Sequence, residues 1–323
     1  MPVEALFANR FHLFENLVTE PNVDMMTAWQ TIGADYEAPL SEYVSPPLEV
    51  VNRTIPGPKS GPKGEIPVRI YRPEGSADRV LPGFVWFHGG GFMHGGLDQY
   101  ESDIVGREIA HRAQAVVMAV DYELCTDTVH FPACQIDGVA AAQWFLANAA
   151  ELGADPKRVY IGGASAGGAL ASSTMLTLRD LLPAQAQPAG IILIYPLAHS
   201  VLPAISEELA SKTAQVPGML IFSPDFVAGL NSGLLNGKAP NDEDNCFAGD
   251  VEDLSGLAPI LIINDEYDSL RASGEKLAEQ LIAAGNQVEL HTQLGALHGH
   301  MNRFPADCRS MDETLDLMVG FIR

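Results

Sequence analysis

Arg158-Val159-Tyr160-Ile161-Gly162-Gly163-Ala164-Ser165-Ala166-Gly167-Gly168-Ala169-Leu170 decides the reading of this chain. It begins as a short apolar strand, turns sharply between glycines with Ser165 at the apex, and continues as a helix of small residues. Gly163-Ala164-Ser165-Ala166-Gly167 fits G-x-S-x-G, the strand-to-helix elbow that holds a serine hydroxyl out at a sheet edge. Glycine is required two positions to either side because side chains there would collide with the neighbouring strand or helix. The helix that follows aims its first N–H groups at the place where negative charge develops in acyl transfer. A glycine-rich turn with an incidental serine is the competing reading, so the remaining parts must come from elsewhere in the chain.

Working outward, continuous apolar runs flank the elbow: Phe84–Phe87, Ala115–Val120, Val159–Ile161, Ile191–Tyr195 and Ile260–Ile263. Such runs suit parallel strands covered on both faces. Val288–Thr292 is more polar, as an edge strand would be, and 50–55 with 66–73 alternates with period two, as an antiparallel edge hairpin does. Helical segments are expected near 101–113, 135–151, 166–181, 271–284 and 308–323, with Gly285 ending one of them. The alternation predicts a mostly parallel, doubly wound α/β sheet whose ligands bind at the carboxyl ends of its strands. Residues 1–45, with Phe7, Phe11, Phe14, Leu17, Val18, Met25, Met26, Trp29 and Ile32 at helical spacing, are expected to form N-terminal helices. Residues 46–323 would then be the main domain, with an insertion at about 199–248 that includes the polar loop Asn241–Asn245. The two pieces together are expected to cap the sheet edge.

The 323 residues are 47% hydrophobic and 19% charged, with a net charge of −22. Nucleic-acid binding is excluded, because phosphate contacts need clustered Lys and Arg. No secretory signal and no 18-residue apolar run is visible, so no membrane span and a cytoplasmic location are expected. Cys125, Cys134, Cys246 and Cys308 lack metal-ligand spacing and read as buried thiols.

Two further segments complete a constellation. Phe87-His88-Gly89-Gly90-Gly91-Phe92 follows a strand, and its unobstructed N–H groups suit an oxyanion hole. It lacks the Lys-Ser/Thr of a P-loop. Asn264-Asp265-Glu266-Tyr267-Asp268-Ser269-Leu270 follows another strand, and three acids compete there to orient a histidine. Asp268 is favoured among them because the chain bends into a helix after it, a helix N-cap being its competing reading, while Asp265 and Glu266 read as solvated or structural. Leu294-Gly295-Ala296-Leu297-His298-Gly299-His300 follows the last strand and supplies the general base. The order Ser165…Asp268…His298 matches that of α/β hydrolases, with His300 as the competitor. His94 near the glycine loop reads as a surface residue.

From these motifs the chain resembles the hormone-sensitive-lipase-like carboxylesterases of the α/β-hydrolase fold, from about residue 65 to the C-terminus. His88–Gly91 matches H-G-G-G. Gly163–Gly168 matches G-D-S-A-G-G with Ala164 in place of the acid. Asp268-Ser269-Leu270 matches D-P-L, and His298-Gly299-His300 matches H-G-F. The resemblance implies catalytic Ser165, Asp268 and His298, oxyanion donors at Gly90, Gly91 and Ala166, and no metal or organic cofactor. It implies a helical cap, hydrolysis of short-chain carboxylic esters through an acyl-enzyme, and it allows a homodimer. An amidase or lactone hydrolase on the same triad, or a ligand-binding member of the fold, are the alternatives. The family's Y-R-L-A-P-E segment is Tyr122–Asp127 here, without its arginine and proline, and Ala272 replaces a second acid.

Overall fold

The computed structural model describes residues 1–15, 32–58, 64–238 and 245–322. Leu17, Val18, Met25, Met26, Trp29 and the Asn241–Asp244 part of the polar loop lie outside them. Eight strands form one sheet: β1 Leu48–Pro56, β2 Glu65–Pro73, β3 Leu81–Phe87, β4 Val116–Val120, β5 Ala154–Ala164, β6 Gly190–Ile194, β7 Ile260–Asp265 and β8 Val288–Gln293. Their order is β1-β2-β4-β3-β5-β6-β7-β8. β1 and β2 are antiparallel to each other and β2 to β4, whereas β4 through β8 pair in parallel. The expected edge hairpin and parallel centre are therefore present. Two strands run longer than their apolar runs suggested, β3 starting at Leu81 and β5 at Ala154. Main-chain pairing there continues past the apolar stretch.

The continuous apolar runs follow from coverage on both sheet faces. Val85 and Phe87, Ile191 and Leu193, and Ile260 and Ile262 belong to one buried cluster; Phe84 and Trp86, Ile192 and Ile194, and Leu261 and Ile263 belong to the other. Side chains of a strand alternate in direction, so each cluster takes every second residue. Each such fully buried side chain is worth about 1.5–3 kcal/mol. The helices Ala133–Asn148, Ala166–Leu181 and Arg271–Ala283 contribute to the first cluster, and Tyr100–Arg112 and Arg309–Ile322 to the second. The helix Arg271–Ala283 ends as expected at Gly285: its N–H donates to the Ile282 carbonyl at 2.9 Å, and that of Asn286 to Leu281 at 3.0 Å.

Register brings the chemistry to one edge. Phe87 pairs with Gly163, Ala164 with Ile194, and Ile194 with Ile263, so the carboxyl ends of β3, β5, β6 and β7 lie in one row. Between β6 and β7 the chain carries the short helices Glu207–Thr213 and Pro224–Leu234. Near the N-terminus, Phe7, Phe14 and Ile32 are buried in the second cluster, as their spacing predicted.

Candidate active site

Ser165 stands between the last residue of β5 and the first of the following helix, at φ 56° and ψ −119°. A non-glycine residue at positive φ costs about 1–3 kcal/mol and persists only where its surroundings impose it. The neighbouring glycines impose it. A Cβ on Gly163 would come within 2.7 Å of the Phe87 carbonyl oxygen, and one on Gly167 within 2.5 Å of the His88 carbonyl oxygen. The Ser165 N–H donates to the Ile194 carbonyl at 2.9 Å, tying the turn to the end of β6.

The three expected side chains meet. His298 Nε2 lies 2.9 Å from Ser165 Oγ, and His298 Nδ1 lies 2.6 Å from Asp268 Oδ2. A carboxylate can only accept, so Nδ1 carries the hydrogen and Nε2 turns its lone pair to the serine hydroxyl. Asp268 Oδ1 accepts the N–H of Leu270 at 2.8 Å, so the acid also shapes the entry to the helix Arg271–Ala283. Burial lowers the imidazolium pKa of His298, but the carboxylates of Asp268, Asp265 and Glu101 more than offset this and hold it above 6.5.

Asp265 and His300 form a second pair beside the first. His300 Nδ1 is 3.0 Å from Asp265 Oδ2, and its Nε2 is 2.9 Å from Thr314 Oγ1. Burial pushes His300 down to about 3 and Asp265 well up. Glu266 is structural as well, accepting from Lys212 Nζ at 2.6 Å and the Gly295 N–H at 2.7 Å.

Gly90 and Gly91 adopt φ of 113° and 62°, which opens the loop after β3 toward Ser165. Among the described residues, the N–H groups of Gly90, Gly91 and Ala166 donate to no protein acceptor. The loop is anchored from two sides. Tyr122 donates its hydroxyl to the His88 carbonyl at 2.8 Å and stacks on the His88 ring at 4.4 Å. Thus the altered Tyr122–Asp127 segment still holds the glycine loop, with burial keeping His88 neutral at a pKa of about 4. The second anchor is Glu101, which composition alone leaves among many acids. Its carboxylate accepts the Gly89 N–H, and at 2.8 Å the Tyr195 hydroxyl. Burial raises its pKa, and these two donors pull it back in part. Tyr195 in turn lies 4.6 Å from the His298 ring and 5.3 Å from that of His300. Neither residue carries a motif; their position at the ends of a helix and a parallel strand is the only sequence signal.

A cavity of about 640 Å³ opens over Ser165, within the usual range for small-molecule sites. Its lining includes apolar Leu197, Val227 and Leu230 as well as polar Tyr36, Glu37 and Arg303. His94 is exposed as expected and also lines the cavity. Phe222 lies across the His298 ring at 4.5 Å and 73°.

Comparison with known proteins agrees with the fold. Residues 84–302 match the family model described as alpha/beta hydrolase fold. Carboxylesterase NlhH of Mycobacterium tuberculosis is 37% identical over 267 residues, covering 80% of this chain and 77% of that protein. Arylacetamide deacetylase of Bos taurus is 37% identical over 288 residues, covering 73% and 72%. The solved structure of a hyperthermophilic esterase from the archaeon Pyrobaculum calidifontis superposes with a TM-score of 0.79 at 28% identity, covering 100% of this chain and 98% of that one. The chain belongs to the α/β-hydrolase-fold family, as its resemblance to the hormone-sensitive-lipase-like carboxylesterases implied.

Proposed function

We propose that this protein is a serine carboxylesterase that hydrolyses short-chain carboxylic esters through an acyl-enzyme. The observation that carries the reading is the unbroken relay from Ser165 through His298 to Asp268, at 2.9 and 2.6 Å. As Ser165 Oγ bonds to the ester carbonyl carbon, its proton passes to His298 Nε2. The carbonyl oxygen becomes an oxyanion facing the N–H groups of Gly90, Gly91 and Ala166. His298 then protonates the alkoxide as the ester C–O bond breaks, and the alcohol leaves. Water attacks the acyl-serine, gives its proton to His298, and the acid departs as the proton returns to Ser165. Asp268 stays ionised throughout and holds the imidazole tautomer.

The N-terminal segment and the insertion between β6 and β7 form the cap in this reading. Its support is that Tyr36 and Glu37 from the first, and Met219 to Leu230 from the second, line the same cavity. A reducing, cytoplasmic setting is supported by four cysteines that are all buried thiols. Among the described residues no helix is long and apolar enough to cross a membrane. Size-exclusion chromatography tests the homodimer that the resemblance allows.

Hydrolysis of p-nitrophenyl esters from acetyl to palmitoyl, by wild type and Ser165→Ala, tests the whole reading. Activity should be greatest on the short chains and fall by roughly 10⁴-fold or more in the variant. Turnover by Ser165→Ala at the wild-type rate would refute the nucleophile, and highest activity on palmitoyl would refute the chain-length preference. The name of the bovine relative, a deacetylase of arylacetamides, favours a second reading on the same residues, amide hydrolysis. An anilide substrate run beside the esters decides between them.

A further inference from the structure

Ser269 occupies the turn between the acid Asp268 and the helix Arg271–Ala283, and it is 3% exposed. Its hydroxyl accepts the N–H of Phe222 at 3.0 Å and donates to the carbonyl of the same residue at 2.9 Å. One side chain thus takes up both backbone groups of a residue 47 positions away, in the segment between β6 and β7. A hydroxyl can do this because it carries one donor and two acceptor sites. The proline of a D-P-L turn could do neither.

The residues just before Phe222 pack their side chains on the second buried cluster, and their main chain is held only locally. The turn Gly218–Leu220 is a single 3₁₀ element, closed by Leu220 N–H to Pro217 at 2.9 Å and Ile221 N–H to Gly218 at 3.2 Å. Those bonds are internal, so apolar packing alone ties these residues to the body of the sheet. Met219, Leu220, Ile221 and Phe222 nonetheless form one wall of the cavity over Ser165. The Phe222 ring ends on His298 at 4.5 Å.

We propose that Ser269 is a positioning residue that pins this wall to the acid-bearing turn and so holds the Phe222 ring against His298. The proposal rests on the assignment of His298 as the general base. With the pin in place the ring shields the imidazole from water on one side, while Tyr195 shields it on another. The charges facing His298 are those of Asp268, Asp265 and Glu101, and the pin alters none of them. Loosening the wall therefore changes hydration around the imidazole and the shape of the cavity, and leaves the relay's own atoms as they are.

The test uses Ser269→Ala, Ser269→Thr and Phe222→Leu in the full chain. For each, the pH profile of kcat/KM is measured on an acetyl ester, and the His298 imidazole is titrated by NMR in the resting enzyme. Ser269→Ala should raise KM about three- to tenfold and move both the acid limb and the imidazole titration by roughly half a pH unit, because water admitted to the imidazole weakens both the burial that lowers its pKa and the carboxylate field that raises it. Ser269→Thr keeps the hydroxyl and should return both readings toward wild type. Phe222→Leu should move the limb in the same direction with the Ser269 bonds intact, and adding Ser269→Ala to it should move the limb no further. An imidazole titration unmoved in folded Ser269→Ala, or a folded Ser269→Thr no better than alanine, overturns the proposal. If Ser269→Ala does not fold, Phe222→Leu decides, and an unmoved limb there overturns it too. The NMR titration needs no substrate, so a failed pin is distinguishable from a failed nucleophile assignment, which shows instead as turnover by Ser165→Ala.

Discussion

Two Asp–His pairs stand next to each other at the carboxyl edge of the sheet, Asp268–His298 and Asp265–His300, and they differ in what lies beyond the imidazole. In the first pair the free nitrogen faces Ser165 Oγ and the cavity, and the histidine side chain is 15% exposed. In the second it meets Thr314 Oγ1, and both side chains are fully buried. The same two residue types give opposite titration behaviour. His298 is held above its ordinary pKa, because the carboxylates around it outweigh partial desolvation. His300 falls to about 3, because complete burial wins. A base that cycles its proton needs the first environment. A neutral, fully bonded ring that fixes a loop needs the second.

The comparison breaks most visibly at Asp268. Asp268→Asn should leave the fold in place and cut kcat/KM by roughly 10³–10⁴-fold, since an amide no longer selects the productive tautomer or stabilises the imidazolium. Steady-state kinetics on the acetyl ester measures this, and a loss under tenfold would show that the orienting acid lies elsewhere. The matching change in the other pair should act on stability. His300→Ala removes a buried ring bonded at both nitrogens and should cost about 3 kcal/mol in denaturant unfolding. Turnover per active site, counted with an organophosphate titrant, should stay within about threefold of wild type. A collapse of turnover in the folded variant would make His300 part of the chemistry.

The smallest effect sharpens the electrostatic contrast. The base works in its neutral form, so wild-type kcat/KM is present at high pH and is lost as pH falls through the raised His298 pKa. The acid limb should therefore lie above 6.5. Asp265 helps to raise that pKa after Asp268 does, so Asp265→Asn should lower the limb by a few tenths of a unit. An upward shift would contradict the proposed origin of the raised value.

These pairs also mark how far the residues could be read without coordinates. Asp268 stands out from Asp265 by the helix that starts after it, and Asp268 and His298 together by resemblance, since nothing in four neighbouring polar residues says which two will be sealed from water. Glu101 carried only its place at the start of a helix, and Phe222 no signal at all. A glutamate on a helix reads as solvated until its carboxylate is seen accepting the Gly89 N–H, and a phenylalanine in a connecting segment reads as packing until its ring is seen on His298.

What the sequence determined by itself is what depends on neighbours in the chain. The elbow was legible because a turn that tight excludes every side chain at Gly163 and Gly167, a constraint written within five residues. The central strands were legible because burial on both faces demands uninterrupted apolar runs. The tertiary structure alone decided which distant groups meet: Ser165 and His298 are 133 positions apart, and Ser269 and Phe222 are 47. Strand register, loop path and burial set those meetings and the proton affinities that follow from them, and each is a property of the packed chain rather than of any stretch of it.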